Sequence, residues 1–284
     1  MKRFDYYQPQ SLKEAFDLME KLQGRARWVA GGTDLIVRIK QKAVAPEALI
    51  SLRSIDELRG FGSGGGLSMG SMVILRDIER DQNIMNRYPV LTSAVSWLAN
   101  PQVRNVATVG GNLCNAAPSA DCAPPLLVLA ATLVLDGPGG KREVPIEDFF
   151  TGPGLTCMET IEILTEIKIP DLAPSTGMAF QKTGRVAKDI AVANAAVLVT
   201  MDGKKCRTCR IAAGAVAPKP LRLHNVEKMV EGEKITPELL EQVAAMVEKE
   251  VSPITDVRST EEYRRTVTGV LVRRAMTEAL ESIQ

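Results

Sequence analysis

Two Gly-Gly pairs each stand directly behind a short apolar run, at Ala30-Gly31-Gly32-Thr33-Asp34 and at Thr108-Val109-Gly110-Gly111-Asn112. Glycine lets the backbone take φ > 0 and lets another segment or a ligand approach with no Cβ between them. Successive backbone N–H groups in such a turn form a concave nest suited to phosphate oxygens. Thr33, Asp34, Thr108 and Asn112 add hydrogen-bonding side chains beside the two nests. Two nests far apart in sequence can clamp one pyrophosphate from both sides; the plainer reading is two unrelated tight turns. A third cluster, Gly60-Phe-Gly62-Ser-Gly-Gly65, fits G-x-G-x-x-G letter for letter. The dinucleotide motif must leave a strand and open a helix. Here a polar helical stretch precedes it and a strand follows, so it reads as a hairpin or surface turn.

Composition narrows the chemistry. The 284 residues include one histidine, His224, which excludes a multi-imidazole metal site within the chain. It reads as structural. The five cysteines, Cys114, Cys122, Cys157, Cys206 and Cys209, are an odd number with no disulfide framework in their spacing. Cys206-x-x-Cys209 has the spacing of a metal half-site, but on a strand positions i and i+3 face opposite ways, so both read as packing residues. Lys+Arg 35 against Asp+Glu 34 gives a net charge of +1, without the basic excess of a nucleic-acid binder. The longest nearly apolar run, residues 123–135, is shorter than the roughly 20 residues that cross a bilayer. The first residues have no apolar signal region, so the expected compartment is the cytoplasm. With hydrolytic and metal toolkits scarce, the chemistry is expected to come from a bound cofactor.

Local patterns predict the elements. Ser11-Leu-Lys-Glu14 is a capping box opening a helix with Leu12, Ala15, Phe16, Met19 and Leu22 on one face. Short strands are expected at 28–30, 49–52 and 67–71, a helix near 92–98, another from Pro125 to Ala131, a hairpin around residues 137–140, and a strand at 161–169. From about residue 178 the pattern changes to three antiparallel strands, 179–182, 191–201 and 206–216. Two helices follow, one from Thr236-Pro237 and one from a capping box at Ser259-Thr-Glu-Glu262. This order makes an α+β chain.

Ala30-Gly-Gly-Thr-Asp-Leu35, the string from Gln102 to Asp121, Phe150-Thr-Gly-Pro-Gly154, the segment Gly214–Arg222 and the segment Asp256–Arg265 closely resemble the flavin-binding subunit of the molybdenum hydroxylases, the family of xanthine and carbon monoxide dehydrogenases. The likeness covers essentially the whole chain. It implies an FAD-binding domain of the vanillyl-alcohol-oxidase type over residues 1–173, in subdomains of about 1–54 and 55–173. A smaller C-terminal domain, 174–284, then holds the three-stranded antiparallel sheet and helices.

Carried over by position, the resemblance puts Val29, Ala30, Gly31, Gly32, Thr33, Asp34, Leu35 and Ile36 along the pyrophosphate of a non-covalent FAD, with Thr108, Val109, Gly110, Gly111 and Asn112 as the second wall. Asp121 would contact the cofactor, Leu164 would meet the isoalloxazine through its backbone, and Lys182, or Gln181 beside it, would lie near the ring. By its own chemistry Asp121 could instead cap a helix, Lys182 could be a solvated strand lysine, and Asp34 reads as a turn or cap. The implied partners are a small subunit with 2Fe-2S clusters and a large molybdopterin-binding subunit, with an electron acceptor such as NAD. The loop from Asn100 to Arg104 is the expected partner-facing surface. The string around Gly111 leans toward purine and N-heterocycle dehydrogenases. The rival expectation is a stand-alone flavoenzyme of the same superfamily.

Overall fold

The computed structural model describes residues 2–283. The first lobe runs β1 (Asp5–Tyr7), α1 (Leu12–Lys21), β2 (Ala26–Val29), α2 (Leu35–Lys40) and β3 (Ala48–Ser51). Its three strands lie parallel in the order β1-β3-β2. Ser11 caps α1 by accepting from the Glu14 N–H at 3.2 Å, and Leu12, Ala15 and Met19 turn inward against Ile50 and Ile55.

The second lobe begins with the hairpin β4 (Phe61–Ser63) and β5 (Gly66–Gly70), so the glycine decoy is a hairpin. A run of short helices follows: α3 (Leu75–Arg80), α4 (Gln82–Arg87), α5 (Pro89–Trp97), α6 (Pro101–Arg104), α7 (Val109–Cys114) and α8 (Ala123–Val128). Then come β6 (Thr132–Gly137), β7 (Gly140–Pro145), α9 (Ile146–Phe149), the hairpin β8 (Phe150–Gly152) and β9 (Leu155–Thr156), and β10 (Ile163–Pro170). The main sheet has the order β4-β5-β10-β6-β7, all antiparallel.

The C-terminal lobe has β11 (Thr176–Thr183), β12 (Ala193–Asp202), β13 (Lys205–Gly214), β14 (Leu221–Arg222), α10 (His224–Val230), α11 (Pro237–Glu250) and α12 (Glu261–Glu281). Its sheet has four strands rather than the three expected: Arg222 pairs with Ala212 and Leu221 with Ala213. A two-residue strand is too short to show an alternation in sequence. The last helix is capped by Thr260, which accepts from the Tyr263 N–H at 3.2 Å, not by Ser259. The Ser259 N–H is already donated to the Asp256 carboxylate at 3.3 Å.

The C-terminal sheet is buried on both faces. Met178, Phe180, Ala196, Leu198 and Ala212 point into the core of the second lobe, against α5 and α8. Their neighbours Ala179, Ala195, Val197, Val199, Ile211 and Ala213 point into the core under α10 and α12. Period-2 side-chain alternation thus serves two cores with one sheet. A β-bulge interrupts it. Thr208 pairs with Thr200 and Cys206 with Met201, leaving Arg207 as the extra residue. The bulge turns Cys206 to the same core as Cys209, correcting the expectation that the two thiols face opposite ways. Met69 and Met72 are buried, whereas Met85 is 40% exposed.

Candidate functional site

A cavity of about 490 Å³ opens where the three lobes meet. This is the size range of cofactor sites. The first lobe supplies the end of β2, the loop from Ala30 to Asp34, and Leu35 and Arg38 of α2. The second supplies Ser71, Leu98, Thr108, Gly110 to Asn112, Ala117 to Asp121 in part, and the start of β10. The C-terminal lobe reaches in with Lys188, Asp189 and Ile190.

The two glycine strings do different work. The backbone N–H groups of Gly31, Gly32, Thr33 and Asp34 meet no acceptor among the described residues, so this loop presents a row of free donors to the cavity. Gly32 takes φ +74° there. A Cβ at Gly31 would lie 2.1 Å from the Val106 carbonyl oxygen; glycine is required because the second lobe presses on this point. Asp34 stands at the N-cap position of α2, but its side chain makes no capping bond. Its carboxylate instead accepts from the Thr33 hydroxyl at 3.3 Å.

The second string is not a nest. Thr108 caps the short helix α7, accepting from the Gly111 N–H at 3.0 Å. The Val109 and Gly110 N–H groups go to the Val73 and Ser71 carbonyls at 3.1 and 2.9 Å. Those donors are consumed inside the fold, which corrects the expectation of a second phosphate cradle. Gly110 and Gly111 instead make a flat wall. What this wall offers is unpartnered oxygen: Ser71 Oγ and Asn112 Oδ1 are buried with no hydrogen-bond partner. Buried orphans of this kind call for a ligand or solvent partner.

The far wall is the start of β10. Pairing with β5 begins only at Glu166, opposite Gly70, so Ile163 and Leu164 run on past the end of β5. Their other edge pairs with β6, and a bulge at Thr165 separates the two registers. Both Ile163 and Leu164 line the cavity. A strand edge of this kind presents backbone donors and acceptors suited to the rim of a flat heterocycle.

Asp121 also lines the cavity, 5% exposed. It does not cap α8, whose N-cap position is Cys122. Its carboxylate accepts from Lys182 Nζ at 2.6 Å and from Asn194 Nδ2 at 2.8 Å. Burial pushes the Asp121 carboxyl above its ordinary value, and Lys182 and Asn194 pull against that shift. Lys182 is therefore spent on Asp121 and on the Trp97 carbonyl, and it is not among the cavity-lining residues. Gln181 turns away and donates to Glu278 at 2.6 Å. Val109 and Ile36 also stand behind the wall rather than in it, whereas Val29 and Leu35 line it.

Sequence reading missed Ser71, Arg27, Arg38, Glu162 and Lys188, all of which line the cavity. Lys188 sits 4.8 Å from the centre of the Trp97 ring, and burial holds its ammonium below the ordinary value. None of these stands in a pattern; only the fold brings them together. The segment from Asn100 to Arg104 is the N-cap and body of α6, and Arg104 is buried, bonded to Glu79 and to the Leu98 and Ala99 carbonyls. Arg104 thus contributes no outer surface for a partner, while Val103 turns to the cavity. His224 is structural, held between Glu147 and Glu227.

Residues 2–172 match the family described as FAD binding domain in molybdopterin dehydrogenase, and residues 178–279 match the CO dehydrogenase flavoprotein C-terminal domain. The chain belongs to this family. It is 34% identical to the carbon monoxide dehydrogenase medium chain of Hydrogenophaga pseudoflava, over 98% of this chain and 97% of that one. It is 32% identical to the xanthine dehydrogenase FAD-binding subunit of Escherichia coli O157:H7, over 97% and 95% of the two chains. A structure of the Hydrogenophaga pseudoflava carbon monoxide dehydrogenase, lacking the Mo-pyranopterin moiety of its molybdenum cofactor, superposes with a TM-score of 0.97 at 33% identity, covering 100% of this chain and 99% of that one. These identities give no support to a lean toward the purine enzymes. The fold is the mixed helix-and-sheet FAD-binding architecture of these flavoprotein subunits, and the residues around the cavity fit a flavin dinucleotide: free N–H donors on one side, a glycine-flat wall with unsatisfied oxygens on another, and an open strand edge at the end. Among the described residues no helix is long and apolar enough to cross a membrane, and no group of His, Cys, Asp or Glu is arranged to hold a metal ion.

Proposed function

We propose that this chain is the electron-transferring subunit of a cytoplasmic molybdenum hydroxylase, collecting electrons from 2Fe-2S clusters of a small partner subunit and delivering them to an acceptor such as NAD. The observation that carries this reading is the cavity itself, lined both by residues 31–34, whose N–H groups have no acceptor among the described residues, and by Ser71 and Asn112, whose oxygens have no partner. FAD, when bound, supplies the exchange between single electrons and electron pairs. The chain's own residues bind and orient. Residues 31–34 would donate to the diphosphate, Asn112 and Ser71 would accept from ligand hydroxyls, the β10 edge at Leu164 would meet the heterocycle, and Asp121 is held at the cavity by Lys182 and Asn194. Substrate oxidation belongs to the large molybdopterin-binding subunit, on which a medium chain has no claim.

The test is to purify the chain alone and with co-expressed partners. The isolated chain is expected to bind one FAD and to leave xanthine, nicotinate and carbon monoxide untouched with a dye acceptor. Turnover of any of them without iron or molybdenum would favour a stand-alone flavoenzyme.

A further inference from the structure

Residues 157–162 wrap around the carboxylate of Glu162, which is 7% exposed and lines the cavity. Arg142 on β7 grips it as a two-pronged fork, Nε to Oε1 at 2.6 Å and Nη2 to Oε2 at 2.8 Å. The same Nη2 donates to the Cys157 carbonyl at 2.9 Å. The Glu159 N–H closes the turn onto Oε2 at 2.7 Å. The two arms of this turn are cavity wall: Met158 on one side, Ile163 and Leu164 on the other.

The fork matters because that stretch of wall has a strand on one edge alone. Ile163 and Leu164 lie beyond the end of β5 and keep only β6 as a neighbour, with the register broken at Thr165. The Cys157 N–H also donates to the Phe149 carbonyl at 2.9 Å and the Trp28 indole to the Thr160 carbonyl at 3.2 Å, but the Arg142 guanidinium is the group that bonds both ends of the turn at once. Arg142 itself is not among the cavity-lining residues and its side chain is 44% exposed.

We propose that the Arg142–Glu162 fork is a positioning device that sets the β10 edge against the flavin, so that Arg142 governs cofactor affinity and the flavin's electronic environment without touching it. This rests on the FAD reading of the cavity. Bidentate charge-assisted bonding fixes orientation as well as distance, and a lysine cannot reproduce it.

The experiment compares Arg142→Met, Arg142→Lys, Glu162→Gln and the double Arg142→Met/Glu162→Gln for FAD dissociation constant and for the visible absorption bands of bound flavin. The control is Lys168→Met, which breaks the Lys168–Glu143 pair, a 2.7 Å contact joining the same strands away from the cavity. Each of the first three is expected to weaken FAD about tenfold, the effect of one charge-assisted hydrogen bond, and to shift the bands. The double variant should lose no more than either single one, because both act through one contact. Lys168→Met should change neither reading. Unchanged affinity and bands in Arg142→Met and Glu162→Gln would overturn the proposal, as would equal losses in Lys168→Met, which would mean general loosening of the sheet. Failure of the unaltered chain to bind FAD would instead remove the reading beneath it, and the proposal with it.

Discussion

Asp121 and Lys182, 61 positions apart in the chain, meet as a buried ion pair at 2.6 Å, with side chains only 7% and 3% exposed. The pair joins the cavity-lining loop of the second lobe to β11 of the C-terminal sheet. Lys182→Met would leave a buried carboxylate with Asn194 alone. We expect a loss of about 3–5 kcal/mol at pH 7, the usual effect of breaking one half of a buried pair, with much of it recovered in Asp121→Asn/Lys182→Met. The pH dependence has a definite sign. Burial raises the Asp121 carboxyl in the folded chain, and without its cation it rises further. Such a group favours the folded state below its unfolded value and loses that favour as pH climbs through the folded value. The deficit of Lys182→Met should therefore shrink between pH 7 and pH 5 in urea unfolding. A deficit that grows on acidification would contradict this arrangement.

Gly31→Ala should weaken FAD binding by at least about 100-fold, the loss of two charge-assisted phosphate contacts. Its Cβ would sit 2.1 Å from the Val106 carbonyl oxygen, so one wall must move. Gly139→Ala, where a Cβ meets nothing within 4 Å, should bind as the parent does. Fluorescence titration of apo-protein with FAD distinguishes the two. Equal behaviour would sever the link between this glycine and the cofactor.

The flavin should leave without a covalent bond. Cys114 lines the cavity, and its exposed surface is cavity wall. An ordinary cysteine thiol is mostly protonated at neutral pH and a poor nucleophile in that form, and no Lys, Arg or His is hydrogen-bonded to this one among the described residues. Acid precipitation is expected to release all the yellow colour. Colour retained on the pellet would point to this cysteine.

Asp256 anchors the turn before α12, accepting from the Arg258 N–H and guanidinium and from Arg264 Nη2 at 2.6 Å. Burial pushes its carboxyl up, but the bonds from Arg258 and Arg264 outweigh it and hold the group well below the ordinary range. A depressed carboxyl contributes stability above its unfolded value and loses it as pH falls toward the folded one. Asp256→Asn should thus lower stability by about 1–3 kcal/mol at pH 7, and the gap to the parent should close below about pH 4. Thermal melts across that range provide the check.

The first glycine string and the strand feeding it were legible because each is a local pattern; the second string opens a helix instead. The use of the second string was not legible. Whether the Gly110 N–H faces a ligand or the Ser71 carbonyl depends on a contact 39 positions away. The partnership of Lys182 with Asp121 was hidden in the same way, and resemblance alone placed the lysine near the flavin ring. The thiols of Cys206 and Cys209 were misjudged because one extra residue at Arg207 inverts a face, and no composition cue marks a bulge. Asn100 to Arg104 looked like a surface loop, since a buried arginine is rare until Glu79 and two carbonyls are seen to receive it.

The C-terminal sheet, apolar on both faces, bears on how this molecule can be taken apart. A cut in the connector near residue 173 would fall between the two family-matched segments, yet it would strip the lid from α5 and α8 and bare Met178, Phe180 and Leu198 on the other piece. Neither fragment should stay dispersed by itself. Expressed together, the halves should find each other through that shared layer, and the yellow of rebound FAD would report their reunion.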